Sequence, residues 1–206
     1  YLLVNKIIML LPSKYVTGSN AKMLSRELGT KLTGRHLDFH LDPFSYLEFL
    51  RFKNLPNTPD SFLDYLRVGG FPAYVESENR QVLAELFNDI IYRDIIVRYR
   101  LANTAPIKQL AGYLLLHIGT RLAPSRLKNA IQVQSAKTVL EYFDHLTECC
   151  MICRLEQFAD SPKARMLAPK KVYACDTALA SLFEHGINKN LGQNLKMSIL
   201  KFIYYI

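Results

Sequence analysis

The sequence predicts a mixed α/β fold dominated by helices, and three observations carry that expectation. Half of the 206 residues are hydrophobic and 21% are charged, a balance that fills a core and excludes a disordered chain. From Ser45 onward the apolar residues recur mostly three and four apart, the spacing of helices with one buried face. Strand-like segments are short and fall near the two ends of the chain, so a sheet, if formed, is small. A chain of this length has room for one large domain or two small ones.

Taken in order, Lys14 to Asn20 (KYVTGSN) reads as a short strand running into a polar, glycine-containing turn. Ser19 or Asn20 is placed to cap the helix AKMLSRELGTKL, where Met23, Leu24, Leu28 and Leu32 recur at helical spacing and Gly34 closes the element. HLDFHLDPF then alternates, with Leu37, Phe39 and Leu41 on one face and His36, Asp38, His40 and Asp42 on the other, until Pro43 stops it. Strand, helix, strand in this order is expected to be the end of an α/β layer rather than a complete sheet.

SYLEFLRF and SFLDYLRV are two amphipathic helices separated by the breaker-rich NLPNTPD. Gly69, Gly70 and Pro72 make a sharp turn. Asn79 to Arg100 is expected to be one long helix, with Leu83, Leu86, Phe87, Ile90 and Ile91 on its stripe and YRDIIVRYR at its end.

Pro106 to Val172 holds the most informative pattern. IKQLAGYLLLHIG reads as a largely buried helix and APSRLKNAI as a short one. After QVQ, Ser135 caps SAKTVLEYFDHL, whose Val139, Leu140, Phe143 and Leu146 face inward. CCMICRLEQF and KKVYACD read as two strands joined by DSPKARMLAP. Three helices followed by a β-hairpin is the arrangement of a winged helix-turn-helix. Arg121, Arg126 and Lys128 before the candidate recognition helix, Lys137 on it, and Lys163 and Arg165 on the wing are the cations placed to touch phosphates. Glu141 and Asp144 lie beside Lys137, and many such modules bind protein rather than DNA, so both partner classes stay open.

The formal charge of +8 fits a polyanionic partner and fits an ordinary basic surface equally. Cys149, Cys150, Cys153 and Cys175 are too few for a disulfide-built secreted domain. The opening YLLVNKIIMLL is too short for a membrane span and lacks a small-residue cleavage site, so a cytoplasmic protein with no membrane partner is expected. The chain opens without Met inside an apolar run and ends on FIYYI, which leads to the expectation of a piece of a longer protein.

Five phrases occur in a telling order: TGSNAKMLSRELGTKLTGR, DPFSYLEFL, YLRVGGFP, YRDII and KKVYACDTALA. Together they resemble the prokaryotic AAA+-like ATPases, in which a P-loop domain precedes a domain of unknown function with a winged helix and a restriction-endonuclease-like fold. The resemblance runs over nearly the whole chain. In that family the P-loop and the acidic strand that organises Mg²⁺ lie upstream of the TGSN phrase, and neither is among these residues. The resemblance implies ATP and Mg²⁺ as cofactors of the full-length protein. It implies that Ser19 and Asn20 orient the attacking water, and that Arg35 is an arginine finger acting in cis or on a neighbouring subunit of a homo-oligomer. Read from the residues alone, TGSN is a turn and helix cap and Arg35 a surface cation.

On this resemblance the chain divides into the end of the ATPase core (1–44), a helical connector (45–104), the winged helix-turn-helix (105–173) and the start of a partial C-terminal α/β domain (174–206). The function implied is ATP binding and hydrolysis coupled to DNA or a protein partner. The alternative is a non-enzymatic DNA-binding regulator or interaction module. The family's C-terminal domain carries a Gly followed closely by Glu on a helix. NLGQNLKMSIL has Gly192 and no Glu, and Asp176 finds no second carboxylate with a catalytic Lys, so two-metal nuclease chemistry is not expected. The His36, Asp38, His40, Asp42 face reads as a solvated strand rather than a zinc site. The cysteines lie among apolar residues, where thiols pack as small hydrophobes, and no metal is expected.

Overall fold

The computed structural model describes Phe39, residues 41–155, Ser161 and residues 170–183. The chain forms two compact units, Tyr1–Asp42 and Pro43–Ile206. In the first unit Phe39, Leu41 and Asp42 are described, and all three are exposed and outside regular structure. Phe39 and Leu41 therefore do not form the buried strand face that their alternation predicts; alternation supplies a pattern but not the ladder and packing surface a strand needs. The expected strand at 14–20, the helix after it and the terminal residues 184–206 lie outside the described residues.

The second unit opens with α1 (Tyr46–Lys53), held by a capping box in which Ser45 and Glu48 bond reciprocally. Those bonds from Ser45 pull the Glu48 carboxyl below its ordinary pKa. Thr58 caps α2 (Pro59–Val68), with Pro59 in the first turn where no N–H is required. Phe49, Leu50, Tyr65 and Val75 form a small core between these helices, with Phe44, Tyr46 and Val68 packed on it.

Past Gly69 and Gly70 the predicted turn is followed at once by a further short helix, α3 (Pro72–Ser77), which Pro72 starts rather than breaks. The predicted long helix is wound in two ways. α4 (Arg80–Asp89) is α-helical, and Ile90–Val97 is a π-helix. Leu83, Phe87 and Ile91 keep the four-residue step of an α-helix; Ile91 and Ile96 then share the buried side five residues apart, which a π turn permits.

α5 (Ala105–Leu116) is buried along most of its length, through Ile107, Leu110, Ala111, Leu114 and Leu115. Then follow β1 (Arg121–Leu122), α6 (Pro124–Ala130), α7 (Ala136–Glu148), β2 (Ile152–Leu155) and β3 (Lys170–Ala174). Ser135 caps α7, and Val139, Tyr142, Phe143 and Leu146 bury one stripe of it. Leu140, expected inside, is 39% exposed because it falls on the opposite side of that stripe. The sheet is antiparallel with order β1-β3-β2, and Arg121 stands opposite Lys171, Cys153 opposite Tyr173. Two residues leave no alternation to read, so β1 was invisible in the sequence.

A last described helix, α8 (Thr177–Ser181), buries Ala178, Leu179 and Ala180 completely in the same core as α4, α5 and α7. The described fold is thus mixed α/β and mainly helical, with a three-stranded antiparallel sheet. Cys149 is buried as predicted, whereas Cys150 and Cys153 are exposed. Cys150 sits in a left-handed turn at φ 56°, and Cys153 lies on a strand where alternation turns it outward. No helix among the described residues is long and apolar enough to cross a membrane.

Candidate functional site

Three phrases far apart in sequence meet at Asp176. Its carboxylate is fully buried. One oxygen accepts the Ala178 N–H at 2.8 Å, capping α8, and the other accepts the Gly70 N–H at 2.9 Å. The Gly70 carbonyl in turn accepts the Phe44 N–H at 2.7 Å, and the Tyr65 hydroxyl donates to the Phe44 carbonyl at 2.8 Å. A buried carboxylate is costly unless donors surround it, and here backbone N–H groups from two elements supply them. Both glycines are dictated by this packing. Gly69 has φ +78°, and a Cβ there would stand 2.1 Å from the Asp176 carboxylate; a Cβ on Gly70 would stand 2.3 Å from the Phe44 carbonyl. At the other end of α8, Arg80 donates to the carbonyls of Ser181 and Leu182 at 3.2 and 2.8 Å. Asp176 therefore joins three segments of backbone and is not a metal-facing acid. Among the described residues no three His, Cys, Asp or Glu side chains are grouped to hold a metal.

A second pin fastens the last turn of α7. The Tyr99 hydroxyl donates to the Glu148 carboxylate, and the Tyr99 ring stacks on His145 with centroids 3.5 Å apart. Burial, and then the Glu148 carboxylate, push the Tyr99 hydroxyl up to about 12. Burial holds the His145 imidazole below its ordinary range, against the pull of Glu148, Asp144 and Glu141. Because folded Tyr99 holds its proton more tightly than the unfolded side chain does, its contribution to stability is whole below pH 10. It is lost as the pH rises from about 10 towards about 12. Ultraviolet titration is expected to show a late-ionising tyrosine component that shrinks in Tyr99→Phe. Burial also raises Tyr142 and Tyr173, so part of that component should remain. A Tyr99→Phe curve identical to the parent's in this range would remove Tyr99 from the pin.

The cations singled out in the sequence separate into two places. Arg121 is exposed on β1, and Arg126, exposed, and Lys128, half-buried, follow on α6. Lys137 is exposed on α7, 3.7 Å from Glu141. Further along that helix Asp144 pairs with Arg154 of β2 at 2.7 Å. Ser19, Asn20, Arg35, Lys163 and Arg165 lie outside the described residues. Lys171 was missed: only the register of β1 against β3 sets it opposite Arg121, and nothing local in KKVYACD signals that. A cavity of about 320 Å³ is lined by Lys53, Leu55, Asp64, Arg67, Val68 and Glu78. Its two cations are already engaged, Lys53 with Glu78 and Arg67 with Asp64.

The family described as an AAA domain matches residues 4–50, and the family described as a domain of unknown function (DUF8612) matches residues 59–190. An uncharacterised protein of Methanocaldococcus jannaschii is 27% identical over 202 residues, covering 88% of this chain and 45% of that protein. An uncharacterised protein of Haemophilus influenzae is 28% identical over 185 residues, covering 84% of this chain and 46% of that protein. The chain thus spans a little under half the length of these relatives. No solved structure matches. An AAA-like segment precedes a domain of unknown function whose match takes in every described element from α2 to α8, with Gly70 and Asp176 among them. Matched over well more than half its length, the chain belongs to the family described as a domain of unknown function (DUF8612).

Proposed function

We propose that this chain is part of an ATP-binding and ATP-hydrolysing AAA-type protein that passes nucleotide state to a winged helix-turn-helix module acting on DNA or a protein partner. The AAA match across residues 4–50 carries the reading, because it takes in both the TGSN and LTGR phrases. In this reading Ser19 and Asn20 orient the attacking water, and Arg35 stabilises transition-state charge in its own subunit or a neighbouring one of a homo-oligomer. Phosphoryl transfer depends on such positioning and charge stabilisation. ATP and Mg²⁺ would be held by a phosphate-binding loop and an acidic strand that these 206 residues do not contain. The described residues do not fit that role. The cavity lined by Lys53 and Arg67 offers cations already paired with carboxylates.

The order α5, β1, α6, α7, β2, β3 with sheet order β1-β3-β2 supports the winged-helix reading, with α7 in the recognition position. Phe44, at the start of the second unit, is bonded to Gly70, and Gly70 to Asp176. Tyr99 fastens the long helix to α7. Displacement at Phe44 therefore has a hydrogen-bonded route to Asp176 and the start of α8. The test is the full-length protein, assayed for Mg²⁺-dependent ATP turnover and for hydrogen exchange of α7 amides with ATP and with ADP. Turnover together with nucleotide-dependent exchange in α7 is expected. Failure to bind nucleotide would sink the reading, and turnover with unchanged exchange would remove the coupling.

A further inference from the structure

We propose that the β1 side of the sheet, with Arg121, its β3 partner Lys171 and the adjoining Arg126, binds the sugar–phosphate backbone of nucleic acid without reading its sequence. The inference does not depend on ATP hydrolysis and stands or falls separately from it.

Arg121 and Lys171 are direct partners across an antiparallel ladder, and like charges so placed oppose strand pairing. Strand alternation puts them on the face opposite buried Leu122 and Val172, side by side, with Arg121 exposed and Lys171 half-buried. Neither is in an ion pair among the described residues, and Arg126 and Lys128 are in none either. From Ile118 to Leu140 the sequence carries Arg121, Arg126, Lys128 and Lys137 and not one Asp or Glu. An arrangement that costs the fold stability and has no counter-charge among the described residues is matched by an anion from outside. Arginine's planar fork suits phosphate oxygens in particular.

The neighbouring helix argues for backbone contact rather than base reading. On α7, Lys137 leans on Glu141, and Asp144 is exposed beside them. Lys137 is already shared with Glu141, and Asp144 is held by Arg154, so α7 offers little free positive charge to a groove walled by phosphates. The cations lie on the sheet edge and α6, where they meet a strand's phosphates from its side. Such contacts position a protein on nucleic acid and carry no sequence information.

The experiment is fluorescence anisotropy of a labelled 20-base-pair duplex with the full chain, repeated over a series of salt concentrations. Three or four phosphate contacts give a slope of log affinity on log salt of about −3, since each contact releases counterions. Arg121→Gln and Lys171→Gln are each expected to weaken binding several-fold and to reduce the slope by about 1. The same substitutions relieve the like-charge pair, so the melting temperature should hold or rise. Lys108→Gln, an exposed lysine on α5, should change neither affinity nor slope. The proposal is overturned by absence of binding at low salt, by salt-insensitive binding, or by both variants binding like the parent. A fall in melting temperature alongside lost affinity would also overturn it, because the pair would then be structural. Equal binding of polyglutamate at matched ionic strength would assign the edge to an acidic protein instead.

Discussion

Asp176→Ala should lower the unfolding free energy by about 2–4 kcal/mol. Two effects add. α8 loses its N-cap, worth about 1 kcal/mol. The Gly70 N–H then stands buried without an acceptor, which costs roughly 1–3 kcal/mol. For a chain of this size each kcal/mol moves the melting temperature by about 2–4 °C. Asp176→Asn should fall between, because its remaining oxygen can serve one donor while its amide group faces the other. Gly69→Ala attacks the same contact from the opposite side, with a Cβ driven against the carboxylate and a φ of +78° that side chains resist. Urea denaturation of the three variants measures all of this. A loss under about 1 kcal/mol in Asp176→Ala would mean that water replaces the carboxylate and that the junction does not fasten the segments.

Arg35→Ala in the full-length protein should reduce ATP turnover by at least about a hundredfold while leaving nucleotide affinity nearly intact. Arginine fingers supply about 10³–10⁵ in rate by meeting charge that develops only in the transition state. Binding and turnover therefore separate, and single-turnover kinetics with a parallel binding assay would show it. If Arg35 acts on a neighbouring subunit, mixing the variant with a chain that contributes Arg35 but cannot bind nucleotide should restore part of the rate. Unchanged turnover would return Arg35 to the surface cation that its residue chemistry alone describes.

Most helices between Ser45 and Glu148 were readable because each buries one stripe and leaves a polar face, and because Ser135 supplies an acceptor where its helix begins; α3 was missed because Gly69, Gly70 and Pro72 read as a turn. β2 and β3 were readable as short apolar runs bounded by polar residues. The rest of what escaped is non-local. β1 exists through its pairing with β3, and two residues carry no period. The role of Asp176 depends on a backbone N–H that is 106 residues away in the chain. The glycines were legible as a turn, but the reason they must be glycine is the proximity of Asp176 and Phe44, which no local pattern encodes. The phrases that carried the family resemblance, YLRVGGFP and KKVYACDTALA among them, are thus recognisable as words while their contact is visible only in three dimensions.

The π-helix at Ile90–Val97 bears on how this family can vary in length. Its ladder closes one residue later than an α-helix would. Such a segment holds a residue more than the same span of α-helix needs. Insertions and deletions are normally confined to loops, because inside a helix they rotate everything downstream out of phase. Here the chain could shed one residue at exposed Tyr92 and close as ordinary α-helix, with Leu83 and Phe87 before it undisturbed. A single-residue gap between relatives at this point would then record a change of winding, with the helix intact on both sides.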